Sequence, residues 1–321
     1  MSRSTKRWMK AAACLIALGL ILFVGVMFAY GWDFSKLSML QLESKTYTVI
    51  EDFYDISLHC DTEDILFVPS EDGKCTVVCA TDDDVKHDIS VTNGKLSILT
   101  VDDRAWYEFF DFSFRSPKIT VYLPQNAYGA LTAITDTGDI SIPDVFSFES
   151  IDAHTDTGDI TCAGSASEAV TLRTDTGDIT VKHMNAGAMS ITVSTGDVEV
   201  RNTTCTEDFS VQSSTGDVEL SHIRCQTLHA SGDTCDIELE DVLAVETLTV
   251  KAETGDIELE ACDANELFLE ADTGDISGTL LTEKVFLVKT DTGEIDVPNS
   301  ITGGRCEIRT DTGDIEMHIA N

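Results

Sequence analysis

One corner recurs through most of this chain. Thr135-Asp136-Thr137-Gly138-Asp139-Ile140 returns in recognisable form around Gly158, Gly177, Gly196, Gly216, Gly255, Gly274, Gly293 and Gly313. Between Gly216 and Gly255 stands Thr234-Cys235-Asp236-Ile237, with Cys235 in the glycine's place. The ten corners lie 19 or 20 residues apart. A fixed period of this size marks a unit that cannot bury its apolar strip alone and must stack on copies of itself.

Counting from each glycine, apolar residues recur at −7, −5, +2 and +4. Around Gly177 these are Val170, Leu172, Ile179 and Val181; around Gly255 they are Leu248, Val250, Ile257 and Leu259. A spacing of two is strand alternation with one buried face. The pattern predicts two short strands per coil joined by the Asp-Thr-Gly-Asp corner, with the extra residue of longer coils before the next −7. Ten coils at about 4.8 Å make a core about 48 Å long. Glycine suits a reversal that needs positive φ, so Cys235 predicts local strain or a different turn. The expected fold is all-β: a parallel β-solenoid of 19–20-residue coils over 131–321, behind an irregular β N-terminal part over 45–130.

Within 45–130, strands are expected at Tyr47–Ile50, Ile56–Leu58, Ile65–Val68, Thr76–Val78, Leu96–Leu99 and Ile119–Leu123, with a hairpin turn at Asn93-Gly94. Ile56 to Phe67 imitates the repeat, with Glu63-Asp64 at the corner, and reads as an irregular first coil. Trp106, Tyr107, Phe109, Phe110, Phe112 and Phe114 crowd one short stretch of a chain that is 7% aromatic. That stretch reads as cover for the end of the stack or as a partner contact.

Residues 1–10 carry Arg3, Lys6, Arg7 and Lys10, and Ala11–Tyr30 holds no charge. Twenty such residues span a hydrocarbon core of about 30 Å. The expectation is a cytoplasmic tail at 1–10, a transmembrane helix at 11–31, a tether at 32–44, and an extracytoplasmic remainder at the bacterial cell membrane. A cleavable signal peptide is the alternative, poorly served by the end Val26-Met27-Phe28-Ala29-Tyr30.

Formal net charge is −36, from 57 acidic and 21 basic residues. Nucleic acid is excluded as a partner, since phosphate binding needs a basic face. Corner position +1 is Asp in nine coils and Glu294 in the tenth. Stacked carboxylates repel unless water screens them or cations bridge them. The calcium candidates are Asp136, Asp139, Asp156, Asp159, Asp175, Asp178, Asp272, Asp275, Asp291, Asp311 and Asp314; solvated turn residues that bind nothing are the plainer reading. Thr at −1 in all ten coils predicts a hydroxyl ladder.

No catalytic constellation emerges. Asp-Thr-Gly is also the aspartic-protease triplet, but that chemistry needs two carboxylates sharing a proton in a cleft. A glycan-active enzyme needs long loops around paired acids, which coils of near-constant length do not supply. Cys60, Cys75, Cys79 and His87 are a weak zinc candidate. Cys162 and Cys306 fall on inward positions, and stacking brings Cys205 near Cys225, within reach of a disulfide.

The chain resembles the bacterial β-strand-repeat family provisionally labelled adhesin, a domain of unknown function. The resemblance rests on Asp64-Ile65-Leu66-Phe67-Val68-Pro69-Ser70, Asn93-Gly94-Lys95-Leu96-Ser97-Ile98, Ile119-Thr120-Val121-Tyr122-Leu123-Pro124 and the Thr-Gly-Asp-Ile coils. It covers roughly residues 45–320. It implies a single-pass, extracytoplasmic protein with no catalytic residues to carry over, in some members linked with envelope-stress systems; the residues themselves lead to the expectation of no enzymatic activity and no cofactor. The expected function is binding or adhesion, or service as an envelope-stress accessory, through an acidic rod whose partners are envelope proteins or wall polymer. The alternatives are a structural cation-binding spacer and, behind it, a glycan-active enzyme. The last coil, around Gly313, is expected to leave an open core edge that invites self-association, with Glu316 and His318 discouraging it.

Overall fold

A computed structural model describes residues 43–81, 85–102 and 117–320, with Ile16, Gly19, Phe23, Val24, Gly25, Met27 and Phe28 of the N-terminal segment. Those seven are helical. The rest of the expected membrane span lies outside the described residues, and among the described residues no helix is long and apolar enough to cross a membrane. The aromatic stretch Trp106–Phe114 also lies outside them.

Each coil begins on a longer strand that ends at the corner threonine, such as Ala127–Thr137 or Ser147–Thr157, and continues on a short one, such as Ile140–Ile142 or Ile160–Cys162. Neighbouring coils pair parallel and in register, Thr137 with Thr157 and Ile140 with Ile160. Inward columns −7, −5, +2 and +4 form one continuous core, as Leu131, Ala133, Ile140 and Ile142 do in the first full coil. Burying each such Leu or Ile contributes about 1.5–3 kcal/mol. The register shifts between Ala166 and Ala169 and between Cys225 and Thr227 sit before −7, where the extra residue was expected.

The five middle coils, from Gly177 to Gly255, differ from the expectation in having a third side. At +6 the chain turns again on left-handed residues: His183, Asn202, His222, Asp241 and Ala261, with φ between 49° and 57°. Beyond that turn, +7 and +9 point inward as well, for example Ile223 and Cys225. A shared glycine would have betrayed this corner; five unlike residues in one strained conformation do not.

Asp55–Cys60 and Asp64–Pro69 form the irregular first coil, stacking Ile56 on Leu131 and Ile65 on Ile140. Beyond it two further strands pair in parallel, and antiparallel strands close the end. Lys95–Asp102 lies on Asp55–Cys60 and turns through Asn93-Gly94 against Val85–Thr92. Lys118–Leu123 lies on Asp64–Pro69 and carries Cys75–Thr81, which in turn carries Glu43–Val49.

The other end corrects the expected stacking order. Glu266–Thr273 of the Gly274 coil pairs with Gly304–Thr312, the strand before Gly313, and that strand pairs on its far side with Lys284–Thr292, the strand before Gly293. The short strands agree: Ile315–Ile319 lies between Ile276–Leu280 and Ile295–Asp296. The last coil in sequence is therefore next to last in space. The open core edge belongs to the Gly293 coil, while the Gly313 coil, which carries Glu316 and His318, is paired on both edges.

Candidate functional site

The corner column is a hydrogen-bonded ladder. The backbone N–H of each +1 residue donates to the carboxylate of the +1 aspartate on the coil before it. The rungs run Asp139 to Asp64, Asp159 to Asp139, Asp178 to Asp159, Asp197 to Asp178 and Asp217 to Asp197. They continue through Asp236, Asp256, Asp275 and Asp314 to Glu294, at 2.7–3.2 Å. A carboxylate accepting an N–H satisfies a backbone donor at a turn, so Asp is required wherever another coil follows. The bond crosses between coils instead of closing a local turn.

Glycine is needed beside it. At Gly216 φ is 117°, and a Cβ there would meet the carbonyl of Gly196. Cys235 has no left-handed φ and is buried; its turn differs, and the carbonyl of Thr234 accepts from Gly216 N–H at a longer 3.4 Å. Two columns from the corner, at −3, buried Thr155 and Thr174 donate to the carbonyls of Gly138 and Gly158.

The calcium candidates divide into two columns. Asp139, Asp159, Asp178, Asp275 and Asp314 are ladder acceptors. Asp136, Asp156, Asp175, Asp272, Asp291 and Asp311 stand at −2 on the long strand, where His154, Arg173 and Lys289 pair with Asp156, Asp175 and Asp291. The corner threonines stack in register on the surface. Among the described residues no three His, Cys, Asp or Glu are placed to hold a metal ion.

A denser carboxylate column follows the short strand. Glu199, Glu219, Glu238 and Glu258 stack in register. Arg201 pairs with Glu199 and Glu219, whereas Glu238 and Glu258 have no ion-pair partner among the described residues. Partial burial, then the charges of Glu258 and Glu219, push the Glu238 carboxyl up from its ordinary value.

The third side forms a groove of about 1200 Å³. Its floor is small because +9 is small: Cys205, Cys225, Ala244 and Ala264. Its end wall is made by Leu281–Lys284 and Thr302–Gly304, the two connections that exchange the last coils. Lys284, 3% exposed, donates to the Ala264 carbonyl at 2.7 Å and to Thr282 Oγ1 at 2.8 Å, and pairs with Asp263 at 2.5 Å. Arg224 grips both oxygens of Asp241 at 2.9 Å. Val245 stands on the rim, 67% exposed. The recurrence of small residues at +9 was the sequence signal for this groove, hidden while the third side was unrecognised.

Cys205 and Cys225 are neighbours in that floor, one step past the Thr204–Arg224 pair, and both are free thiols pushed up to about 12 by burial. Cys162 and Cys306 are buried in the core as expected. At the closed end, Glu63 is buried where the corner glycine would stand. It accepts from Thr62 N–H at 3.1 Å and Thr100 Oγ1 at 3.2 Å, and lies 3.3 Å from His87 Nε2. Burial pushes its carboxyl up, but the His87, Thr62 and Thr100 contacts together outweigh it and hold the group below its ordinary value. Cys60 and Cys79 lie close enough to feel the Glu63 charge.

A model of the Toastrack DUF4097 family matches residues 53–207 and 204–321. No curated protein matches the chain. Among solved structures, a Parabacteroides distasonis protein provisionally named lipid binding is 14% identical, at a TM-score of 0.47, covering 85% of this chain and 96% of its own. A Bacteroides fragilis protein provisionally named an adhesin is 17% identical, at a TM-score of 0.42, covering 86% and 97%.

Proposed function

The chain belongs to the Toastrack DUF4097 family, and from that premise we propose that it is a membrane-anchored, extracytoplasmic, non-enzymatic binding protein. Its N-terminal segment holds it at the bacterial membrane, and its solenoid presents a binding face to envelope proteins or wall polymer. The observation that carries this reading is the groove. It is large enough for a ligand segment, it is floored by small side chains, and its two cations are committed, Arg224 to Asp241 beside it and Lys284 to Asp263. Concave, largely apolar surfaces with a few fixed polar groups bind. Turnover of glycans needs two carboxylates free to flank a bond; of the two that line the groove, Asp263 is held by Lys284 and Glu283 accepts from Thr302 Oγ1 at 2.6 Å.

The test is photo-crosslinking in intact cells, with the crosslinker placed at Val245 on the rim or at Thr161 on the short-strand side. Capture of one envelope protein or wall polymer from Val245 and not from Thr161 supports the reading. Equal capture from both positions, or none from Val245, overturns it.

A cation-gathering spacer is the second reading, favoured by the column Glu219–Glu238–Glu258 and its raised Glu238. It requires the melting temperature to rise in millimolar calcium and fall with chelator. Superimposable melting curves would remove it.

A further inference from the structure

The two ends of the solenoid are unlike. The first coil is covered by two parallel strands that antiparallel strands close in turn, whereas among the described residues nothing covers the coil of Gly293. Ile295, at +2, is 48% exposed, while the residue at +2 in each of the nine other coils is at most 1% exposed. Phe286, Val288 and Val297, at −7, −5 and +4, are only partly buried. Leu287 and Ile301 are 49% and 88% exposed. Among the described residues, Lys284–Thr292 pairs only with Gly304–Thr312, and Ile295–Asp296 only with Ile315–Ile319. The exposed edge is the same surface that every other coil buries against its neighbour, with its backbone groups still to be satisfied.

We propose that this end coil is the interface of a two-fold dimer, and that its occupant is the end coil of a second copy of this chain. Three observations select that occupant. Stacking of one bare coil head to tail on another is not available, because the far end presents the antiparallel strands Val85–Thr92 and Glu43–Val49 in place of a coil face. A two-fold axis makes facing edge strands antiparallel, the sense in which the N-terminal end is closed. Residues 284–320 carry four basic residues against seven acidic ones, a net −3 within a chain of −36, so this end repels a copy of itself less than the rest of the solenoid does. The dimer continues the hydrophobic core through the axis and leaves the two closed ends, with Glu43–Val49, outermost.

The test is light scattering of the detergent-solubilised full chain, with amide hydrogen exchange at Lys284–Thr292. The expected mass is twice that of one chain, falling to a single chain on dilution. Exchange in that strand is expected to slow as concentration rises. The double variant Leu287→Glu/Ile295→Glu is expected to remain a monomer with the wild-type fold by circular dichroism, while Val245→Glu still dimerises. A monomer at every concentration overturns the proposal. So does a dimer unaffected by the double variant, which would lie on another surface. Strong protection of Lys284–Thr292 at the lowest concentration also overturns it, since a segment of the same chain would then cover the edge.

Discussion

Glu294 donates its backbone N–H to the carboxylate of Asp314 at 2.8 Å, although Asp314 lies 20 residues later in the chain. Asp314 in turn donates to Asp275 at 2.7 Å. The coil of Gly293 is thus the end of the ladder, and among the described residues its own +1 carboxylate has no N–H to accept. It is also the one coil in which +1 is Glu. Aspartate has the reach to the next coil's N–H, and where no coil follows that reach is not needed.

The ladder predicts an asymmetry between its middle and its end. Asp197→Ala removes the acceptor of Asp217 N–H and should cost about 1–2 kcal/mol in chemical denaturation. Glu294→Ala leaves no donor stranded and should fall within about 0.5 kcal/mol of wild type. Equal costs would show that the carboxylates act through general charge and not through the rungs.

Gly232 and Cys235 form a compensating pair. A Cβ on residue 232 would collide with the Cys235 sulfur. Where the corner loses its glycine, the −3 position has become one. Gly232→Ala should therefore destabilise strongly, and Cys235→Gly in the same chain should recover much of the loss. The double-mutant cycle should show a coupling of about 1–3 kcal/mol; additive costs would mean the two residues do not share space.

The closed end should be acid-sensitive. The Glu63 carboxyl is held below its ordinary value when folded. Its contribution is therefore complete above the unfolded value of about 4.3 and is lost as pH falls through the lower folded one. Glu63→Gln should melt below wild type at neutral pH, by roughly 1–3 kcal/mol from the unsatisfied partners left behind. The two melting temperatures should converge once the pH falls through the lowered folded value of Glu63, below the ordinary carboxylate range. A gap that persists into acid would place the effect in shape and not in charge.

The nine cysteines among the described residues are buried free thiols. Burial holds Cys205, Cys225, Cys162 and Cys306 near 12, far from the thiolate that alkylating agents require. Native protein should leave all nine unlabelled, and denaturant should expose all nine together. Labelling of Cys205 or Cys225 in the folded chain would mean that the groove floor opens.

The alternation at −7, −5, +2 and +4 made the core columns legible, and the glycine corner made the solenoid legible, because both repeat as residue types. The second corner was not legible: His183, Asn202, His222, Asp241 and Ala261 share a backbone conformation and no chemistry. The groove stayed hidden with it. The end of the stack was written in the sequence as Glu294, but its meaning depends on which coils are neighbours, and the repeat is the same for either order. Cys235 was visible as an anomaly, and its partner Gly232 only once the −3 column was known to point inward.

The order of the last coils carries the ladder's end, the groove's wall and the proposed dimer, so it is the relationship to measure. Ser277 faces Glu316 in register, and Glu316 faces Asp296. Paired cysteines in one chain report the order by oxidation followed by mapping of the crosslink, since facing strand positions meet disulfide geometry. Ser277→Cys with Glu316→Cys should crosslink readily, and Ser277→Cys with Asp296→Cys should not. The reverse result would mean that the coils stack in sequence order, with the Gly313 coil at the open end.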